Sequence, residues 1–316
     1  MKQILTILMA QINPKVGAIF DNAEKIIHVI QQHQAHHDII IFPELVLTGY
    51  PPEDLLLRHE LYESVETALH MIQTQVKHCH AIIGHPSLDN GRHYNSASIF
   101  SNGTQMLRYH KQILPNYGVF DEKRYFTPGE PQACQFTVNG YQLGLCICED
   151  LWHKGPVDAL IQQGTELLIC INASPFDVDK YDKRLALLEH YANQGLNIVY
   201  VNQVGGQDEL VFDGHSMAID QQGKLAVRAP AFTEHLQTLT FKDNTISGDI
   251  SPLLNQEALI YQALVTGLRD YMAKNHFQSV VLGLSGGIDS ALTLTIAADA
   301  LGSANVHAVM MPSRYT

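Results

Sequence analysis

Basic residues are scarce in this sequence: 20 Lys and Arg stand against 32 Asp and Glu, a formal charge of −12. A nucleic-acid scaffold carries a basic face, so that class is disfavoured, and the aromatics are dispersed rather than interleaved with basic runs. No apolar run approaches the roughly 20 residues that span a bilayer, which argues against a membrane-crossing helix. Low-complexity tracts are missing as well. Cysteine is sparse and odd in number. Cys79, Cys134, Cys146, Cys148 and Cys170 lie apart, mostly in apolar runs, and read as free thiols of a reducing compartment rather than a disulfide framework. Lys2 followed by Ile4–Ala10 faintly imitates a leader, but Thr6 interrupts it and no small-residue cleavage pattern follows. The expectation is a cytoplasmic protein.

What the chain does have is core material. A hydrophobic content of 46% with 16% charged residues over 316 positions excludes disorder and suggests about two domains. The recurring unit is a short apolar run, a turn and an amphipathic helix. Strands are expected at Ile4–Gln11, Asp38–Phe42, Ala81–Gly84, Ser96–Ser101 and Gln105–Tyr109, the last two joined at Asn102-Gly103. Helices are expected at Asn22–His36 and, as one long element, Glu53–Val76. A second series follows, with strands at Tyr141–Cys148, Glu166–Asn172 and Ile198–Asn202, helices at Val157–Gln163 and Lys180–Gln194, and a hairpin across Gln222-Gly223. Two helix-flanked sheets packed together suit this mixture.

The polar, turn-rich stretch Lys242–Pro252 reads as a linker. Beyond it come a helix (Gln256–Lys274), a strand (Ser279–Leu284), a helix (Asp289–Leu301) and a strand (Val306–Met311). The division expected is a domain over 1–245, a linker over 246–255 and a second α/β domain over 256–316. A single parallel strand pair of roughly sixty residues leaves faces and an edge uncovered, so the second domain is expected to be incomplete.

Three reactive residues follow apolar runs: Glu44 after Ile39–Pro43, Lys111 after Met106–His110, and Cys148 in Leu145-Cys146-Ile147-Cys148-Glu149-Asp150. Functional groups in α/β sheets gather at the carboxyl ends of strands. A thiol, a carboxylate base and an ammonium group form a workable acyl-transfer set. Each also has a plainer reading. Cys146 and Cys148, two apart on one strand, are expected to face the same side as ordinary core thiols. Glu44 suits a helix cap and Lys111 a solvated surface, and no second Cys or His pair completes a zinc site.

A different pattern stands in Val280–Ser290. A buried strand runs into Ser285-Gly286-Gly287-Ile288-Asp289-Ser290 and opens a helix, so exposed backbone N–H groups and a helix N-terminus converge on an anion. Ser285 and Ser290 can donate hydroxyls, and Asp289 can hold Mg2+. No lysine follows the glycines, so this is neither G-x-x-x-x-G-K-[ST] nor G-x-G-x-x-G. The plainer reading is a capped tight turn.

Phe42-Pro43-Glu44-Leu45, Lys111 with Leu114–Glu122, and Cys146–Trp152 resemble the Glu-Lys-Cys set of the nitrilase superfamily, in its order. The longer blocks resemble the amide-hydrolysing domain of the glutamine-dependent NAD+ synthetases. Ser285–Ser290 is similar to the loop of N-type ATP pyrophosphatases, and Met311–Thr316 resembles the segment after the second strand of NAD+ synthetases. The resemblance implies a nitrilase-like α-β-β-α sandwich followed by part of an adenine nucleotide hydrolase-like domain. It implies Glu44 as base, Lys111 as transition-state support, Cys148 as nucleophile and Glu122 as a second carboxylate, although Glu122 reads equally as a surface partner of Lys123 or Arg124. It further implies glutamine contacts from Tyr117, Ser174, Lys180, Glu149 and Trp152. ATP and Mg2+ would serve the second domain and no cofactor the first. Glutamine, ATP and deamido-NAD+ are the substrates so implied, with a homo-oligomer as the assembly. Two other readings stay open: a stand-alone amidase or carbamoylase, and a non-catalytic nucleotide-binding adaptor.

Overall fold

Ile39-Ile40-Ile41 and Leu167–Ile171 are buried at every position, as strands covered on both faces must be. The computed structural model, described for residues 2–312, places them at the centres of two stacked sheets. The first series comprises β1 (Leu5–Gln11), α1 (Ile19–His33), β2 (Ile39–Ile41), α2 (His59–Gln75), β3 (His80–Asp89), β4 (Arg92–Ser101) and β5 (Thr104–His110). The second comprises β6 (Cys134–Val138), β7 (Tyr141–Ile147), α3 (Pro156–Gln162), β8 (Leu167–Asn172), α4 (Lys180–Ala192) and β9 (Asn197–Asn202). Hairpins follow: β10 (Val204–Gln207) with β11 (Leu210–Asp213), β12 (Met217–Ile219) with β13 (Leu225–Arg228), and β14 (His235–Lys242) with β15 (Thr245–Gly248).

One sheet has seven strands, ordered β15-β14-β1-β2-β3-β4-β5, and the other six, ordered β13-β12-β9-β8-β7-β6. Each is built on a parallel triplet, β1-β2-β3 or β7-β8-β9, extended by antiparallel edges. Alternation sorts the side chains into layers. Ile7, Ile39, Ile41, Leu143, Leu145 and Ile169 pack between the sheets, whereas Leu8, Ile40 and Phe42 face α1 and α2. Cys146, Leu168 and Cys170 face α3 and α4. This is the expected α-β-β-α order.

Several expectations need correction. The helix read over Glu53–Val76 is broken: a 3-10 turn covers Glu53–Leu57, and Arg58 is extended before α2 starts. Strand β3 runs on to Asp89 and turns at Asn90-Gly91 into β4, so the hairpin is longer than its apolar centre suggests. Strands β6, β10, β11 and β14 lie in stretches where polar or glycine positions hide the alternation. The linker stretch Lys242–Pro252 opens with the β14–β15 turn, and only 249–255 lacks helix or strand. Cys148 lies outside β7, at the start of a 3-10 turn over Cys148–Leu151.

Helix α5 (Gln256–Lys274) is capped by the Asn255 side chain, which accepts from Ala258 N at 2.9 Å. It packs on β10 and β11, and leads to β16 (Val280–Leu284), α6 (Ile288–Leu301) and β17 (Val306–Met310), a parallel βαβ unit. The block Met311–Thr316 lies outside the described residues from Ser313 onward. Among described residues, no helix is long and apolar enough to cross a membrane.

The close approach of β3 to the segment after β2 depends on Gly84. A Cβ there would lie 2.5 Å from both Leu45 N and Pro43 O. Backbone cannot yield as a side chain does, so Gly84→Ala is expected to destabilise the fold by about 1–3 kcal/mol. Urea unfolding measures this, and an unchanged midpoint would show that the turn can relax.

Candidate active site

Glu44 follows β2, where Pro43 ends the strand and Gly84 lets the chain turn against β3. Its carboxylate is fully buried. Oε1 accepts from Asn95 Nδ2 at 2.8 Å and Lys111 Nζ at 2.7 Å, and Oε2 accepts from the Ala173 backbone N–H at 2.9 Å. Three donors from β4, the end of β5 and the end of β8 thus fix one carboxylate.

Lys111 is held through its backbone: its N–H donates to Asn95 O at 2.8 Å, and its carbonyl accepts from Gly129 N at 2.8 Å. Its Nζ also reaches Glu122 Oε1 at 2.8 Å, and Tyr50 OH donates to that same oxygen at 2.9 Å. Burial alone would lower the lysine pKa, but Glu122 and Glu44 outweigh it and hold the ammonium charged. For Glu122, burial is the largest influence and raises the carboxyl to about 7, against the opposing pull of Lys111. Glu122 is therefore a buried partner of Lys111, not a surface partner of its neighbours.

Cys148 departs from the strand geometry read from the sequence. Strand β7 ends at Ile147, and Cys148 has a φ of 46°, which costs a non-glycine residue on the order of 1–3 kcal/mol. Simple alternation would put it with Cys146 against the helices; the left-handed turn instead brings it among the residues packed between the sheets. Asp150 holds this elbow. Its Oδ2 accepts from Ile147 N at 3.1 Å and Tyr109 OH at 2.8 Å, while its Oδ1 accepts from Gln112 N at 2.9 Å and Ile113 N at 2.8 Å. One side chain thereby ties the thiol's turn to the segment bearing Lys111. Burial pushes the Cys148 thiol well up, Glu44 adds to this and Lys111 opposes it. The resting thiol is protonated, so attack requires a base to remove that proton.

Four of the other predicted contacts pair among themselves. Tyr117 OH donates to Glu149 at 3.1 Å, His153 Nε2 lies 2.9 Å from the same carboxylate, and Lys180 Nζ sits 4.5 Å from the Trp152 ring centroid. Burial, then the nearby Arg184 charge, lowers the Lys180 pKa. A cleft of about 380 Å³ opens here, lined by Tyr117, Phe120, Phe176, Lys180 and Leu210 among others. Ser174 differs: it is buried and its Oγ accepts from Arg184 Nε at 3.2 Å.

The second constellation is open to solvent. Gly286 has a φ of 85°, Ser285 and Ser290 hydroxyls lie 3.1 Å apart, and Gly287 N donates to Ser285 Oγ at 3.3 Å. Ile288 and Asp289 begin α6. A cavity of about 380 Å³ lies between Gly283–Gly286 and Met310–Pro312. No cluster of three or more metal-binding side chains occurs among the described residues.

Sequence reading missed Asn95, Tyr50, Asp150 and the Ala173 N–H. Asp150 lay inside the Cys-Glu-Asp block and was legible there; the Ala173 donor is backbone and carries no residue signature.

Residues 6–248 match the carbon-nitrogen hydrolase family and residues 260–316 match NAD synthase. A glutamine-dependent NAD(+) synthetase of Acinetobacter baylyi is 43% identical, aligned over 98% of this chain and 58% of the relative. One from Aquifex aeolicus is 40% identical over 99% of this chain and 62% of its own length. The solved structure of a glutamine-dependent NAD+ synthetase from Acinetobacter baumannii, in complex with ADP, superposes with a TM-score of 0.96 at 43% identity, over 99% of this chain and 60% of that one. A nitrilase-superfamily amidase from Nesterenkonia shares the fold, with a TM-score of 0.68 at 22% identity over 76% of this chain and 91% of its own. The chain thus spans about three-fifths of the length of the synthetases it matches.

A carboxyl raised to about 7 from a reference of 4.5 binds its proton more tightly folded than unfolded. Its contribution to stability is complete below pH 4.5 and lost as pH rises through about 7. Glu122→Gln should therefore flatten the pH dependence of the unfolding free energy across this window, measured by denaturant titration at successive pH values. An undiminished slope in the variant would contradict the assignment.

Proposed function

The chain belongs to the carbon-nitrogen hydrolase family, and from that premise we propose that its first domain hydrolyses the side-chain amide of glutamine. The observation carrying this reading is the buried Glu44–Lys111–Glu122 cluster set against the strained Cys148 elbow. Glu44 takes the Cys148 proton as sulfur attacks the amide carbon. Lys111 Nζ stabilises the oxyanion that forms. Collapse of the intermediate expels ammonia, which receives its proton from Glu44, and leaves a γ-glutamyl thioester. Glu44 then accepts a proton from water as it attacks the thioester, releasing glutamate and restoring the thiol.

At the mouth, Lys180 suits the α-carboxylate of a free amino acid and Glu149 its α-ammonium, with Tyr117 orienting Glu149 and Trp152 backing Lys180. Ser174, buried with its Oγ accepting from Arg184 Nε, completes the proposed glutamine contacts. Because β15 pairs in the seven-stranded sheet, we move the expected boundary from 245 and assign residues 1–248 to this amidohydrolase, 249–255 to the connection and 256–316 to a synthetase domain. There the Ser285–Ser290 loop receives the ATP phosphates, and the ammonia is joined to deamido-NAD+. Mg2+ takes most ligands from phosphates and water and needs few carboxylates, so the lone Asp289 fits such an ion; the metal would neutralise phosphate charge. Five buried, unpaired cysteines suit a cytoplasmic site, and a homo-oligomer is part of the same proposal.

Cys148→Ala should abolish glutamate release in a coupled glutamate dehydrogenase assay. Lys180→Met should lower kcat/KM by about 10- to 100-fold, the value of a lost charged hydrogen bond. If simple amides are cleaved as efficiently as glutamine and Lys180→Met leaves both unchanged, the general amidase reading replaces this one. If the wild-type chain releases no glutamate, the adaptor reading does. For the loop, Ser290→Ala should weaken ATP binding by about two- to tenfold, read by calorimetry.

A further inference from the structure

Arg184 is the largest fully buried side chain in the protein's described residues, and it takes no part in the acyl-transfer chemistry. It lies on the inner stripe of α4, in step with Tyr181, Leu188 and Tyr191. Its guanidinium is fully engaged. Nη1 donates to Asp213 Oδ1 at 2.9 Å and Oδ2 at 2.8 Å, Nε to Ser174 Oγ at 3.2 Å, and Nη2 to Ser174 O at 2.8 Å and Pro175 O at 3.0 Å. Asp213 ends β11 and is also approached by His215 Nδ1 at 3.0 Å.

Those contacts converge on one short loop. Ser174 N donates to Asn202 Oδ1 at 2.8 Å, and Phe176 N donates to Val211 O at 2.7 Å. The residue just before them is Ala173, whose N–H meets Glu44 Oε2 at 2.9 Å. Replacing a buried ion pair by apolar residues is often neutral or stabilising, so this pair is poorly explained by stability alone. A rigid fork gripping two consecutive carbonyls is suited to fixing a backbone.

We infer that Arg184, braced by Asp213, is a positioning residue: it clamps the Ser174–Pro175 backbone so that the Ala173 N–H orients the Glu44 carboxylate toward Cys148. The inference rests on the reading of Glu44 as the base for Cys148. Arg184 acts through the loop and does not itself touch the reacting atoms.

The test compares Arg184→Met with the double variant Arg184→Met, Asp213→Leu, which leaves no unpaired buried charge. Two rates are read below the unfolding temperature of each protein: kcat for glutamate release, and carbamidomethylation of Cys148 by iodoacetamide, with Cys148→Ala as background. Alkylation needs no glutamine, so it reports activation of the thiol even if the amide substrate is something else. The expected result is a fall in both rates of between about ten- and a hundredfold in the folded double variant, in line with loss of alignment at a reacting centre. A merely structural role would lower the unfolding midpoint and leave both rates alone, and that result overturns the inference. Where the double variant does not fold, Arg184→Lys decides: it keeps the charge but cannot span Asp213, Ser174 and Pro175 together, so both rates should fall, and unchanged rates overturn the inference. A wild-type protein that alkylates readily but spares glutamine would remove the glutaminase reading, while slowed alkylation in the variants would still uphold the clamp.

Discussion

An ammonium group buried between two carboxylates governs the first domain. Lys111 cannot keep its charge in the interior without Glu44 and Glu122, and neither carboxylate is comfortable there without it. The partners come from distant parts of the chain, so satisfying that charge obliges the ends of β2, β5 and β8 and the segment at Glu122 to meet. Such a cluster is weak as a source of stability, since apolar residues of similar volume would serve as well. In the proposed hydrolysis its value lies in fixed dipoles already aimed where negative charge develops on a reacting carbonyl.

The thiol is set by a second constraint, the elbow after β7. Continuation of the strand would bury Cys148 against α3 and α4 beside Cys146 and Cys170, where it would be an inert core residue. The left-handed residue reverses that outcome, and the four hydrogen bonds to Asp150 sustain the strain. Because two of those bonds come from Gln112 and Ile113, Glu44, Lys111 and Cys148 are braced against one another. Local strain of this kind persists only where surrounding contacts over-determine it.

The contrast explains which features the sequence reveals. Buried parallel strands announce themselves as predominantly apolar runs, so β2, β7, β8 and β9 and the two-sheet architecture were readable. Glu44, Lys111 and Cys148 were visible as reactive types at strand ends, although local pattern alone left each with an ordinary structural explanation. Conformation set from outside the segment could not be read. Alternation placed Cys148 on the wrong face because tertiary bonds to Asp150 decide its φ. The turn after β14 and the strand β15 looked like linker because β15 pairs only with β14, whose own partner β1 lies more than 200 residues earlier (Leu5 pairs with Phe241). Arg184 stood on an apolar stripe of α4, a visible anomaly whose meaning depends on Asp213 in another element.

The two constellations also differ in how they meet charge. In the first domain the Lys111 charge is already paired with Glu44 and bonded to Glu122, since a buried site must be complete in advance. The Ser285–Ser290 loop carries no buried charge: its donors are hydroxyls and backbone N–H groups at the start of α6, left open to solvent. That arrangement suits a ligand that brings its own charge and leaves again. Between them, α5 packs against the β10–β11 hairpin at a point where Gly206 and Gly267 allow close backbone contact, with Asp270 accepting from Gly206 N at 2.8 Å and Asn13 Nδ2 at 2.7 Å. The same hairpin supplies Val211 and Asp213 to the loop that holds Glu44's Ala173 donor. The helix leading to the open loop therefore rests on the same hairpin that stiffens the closed site.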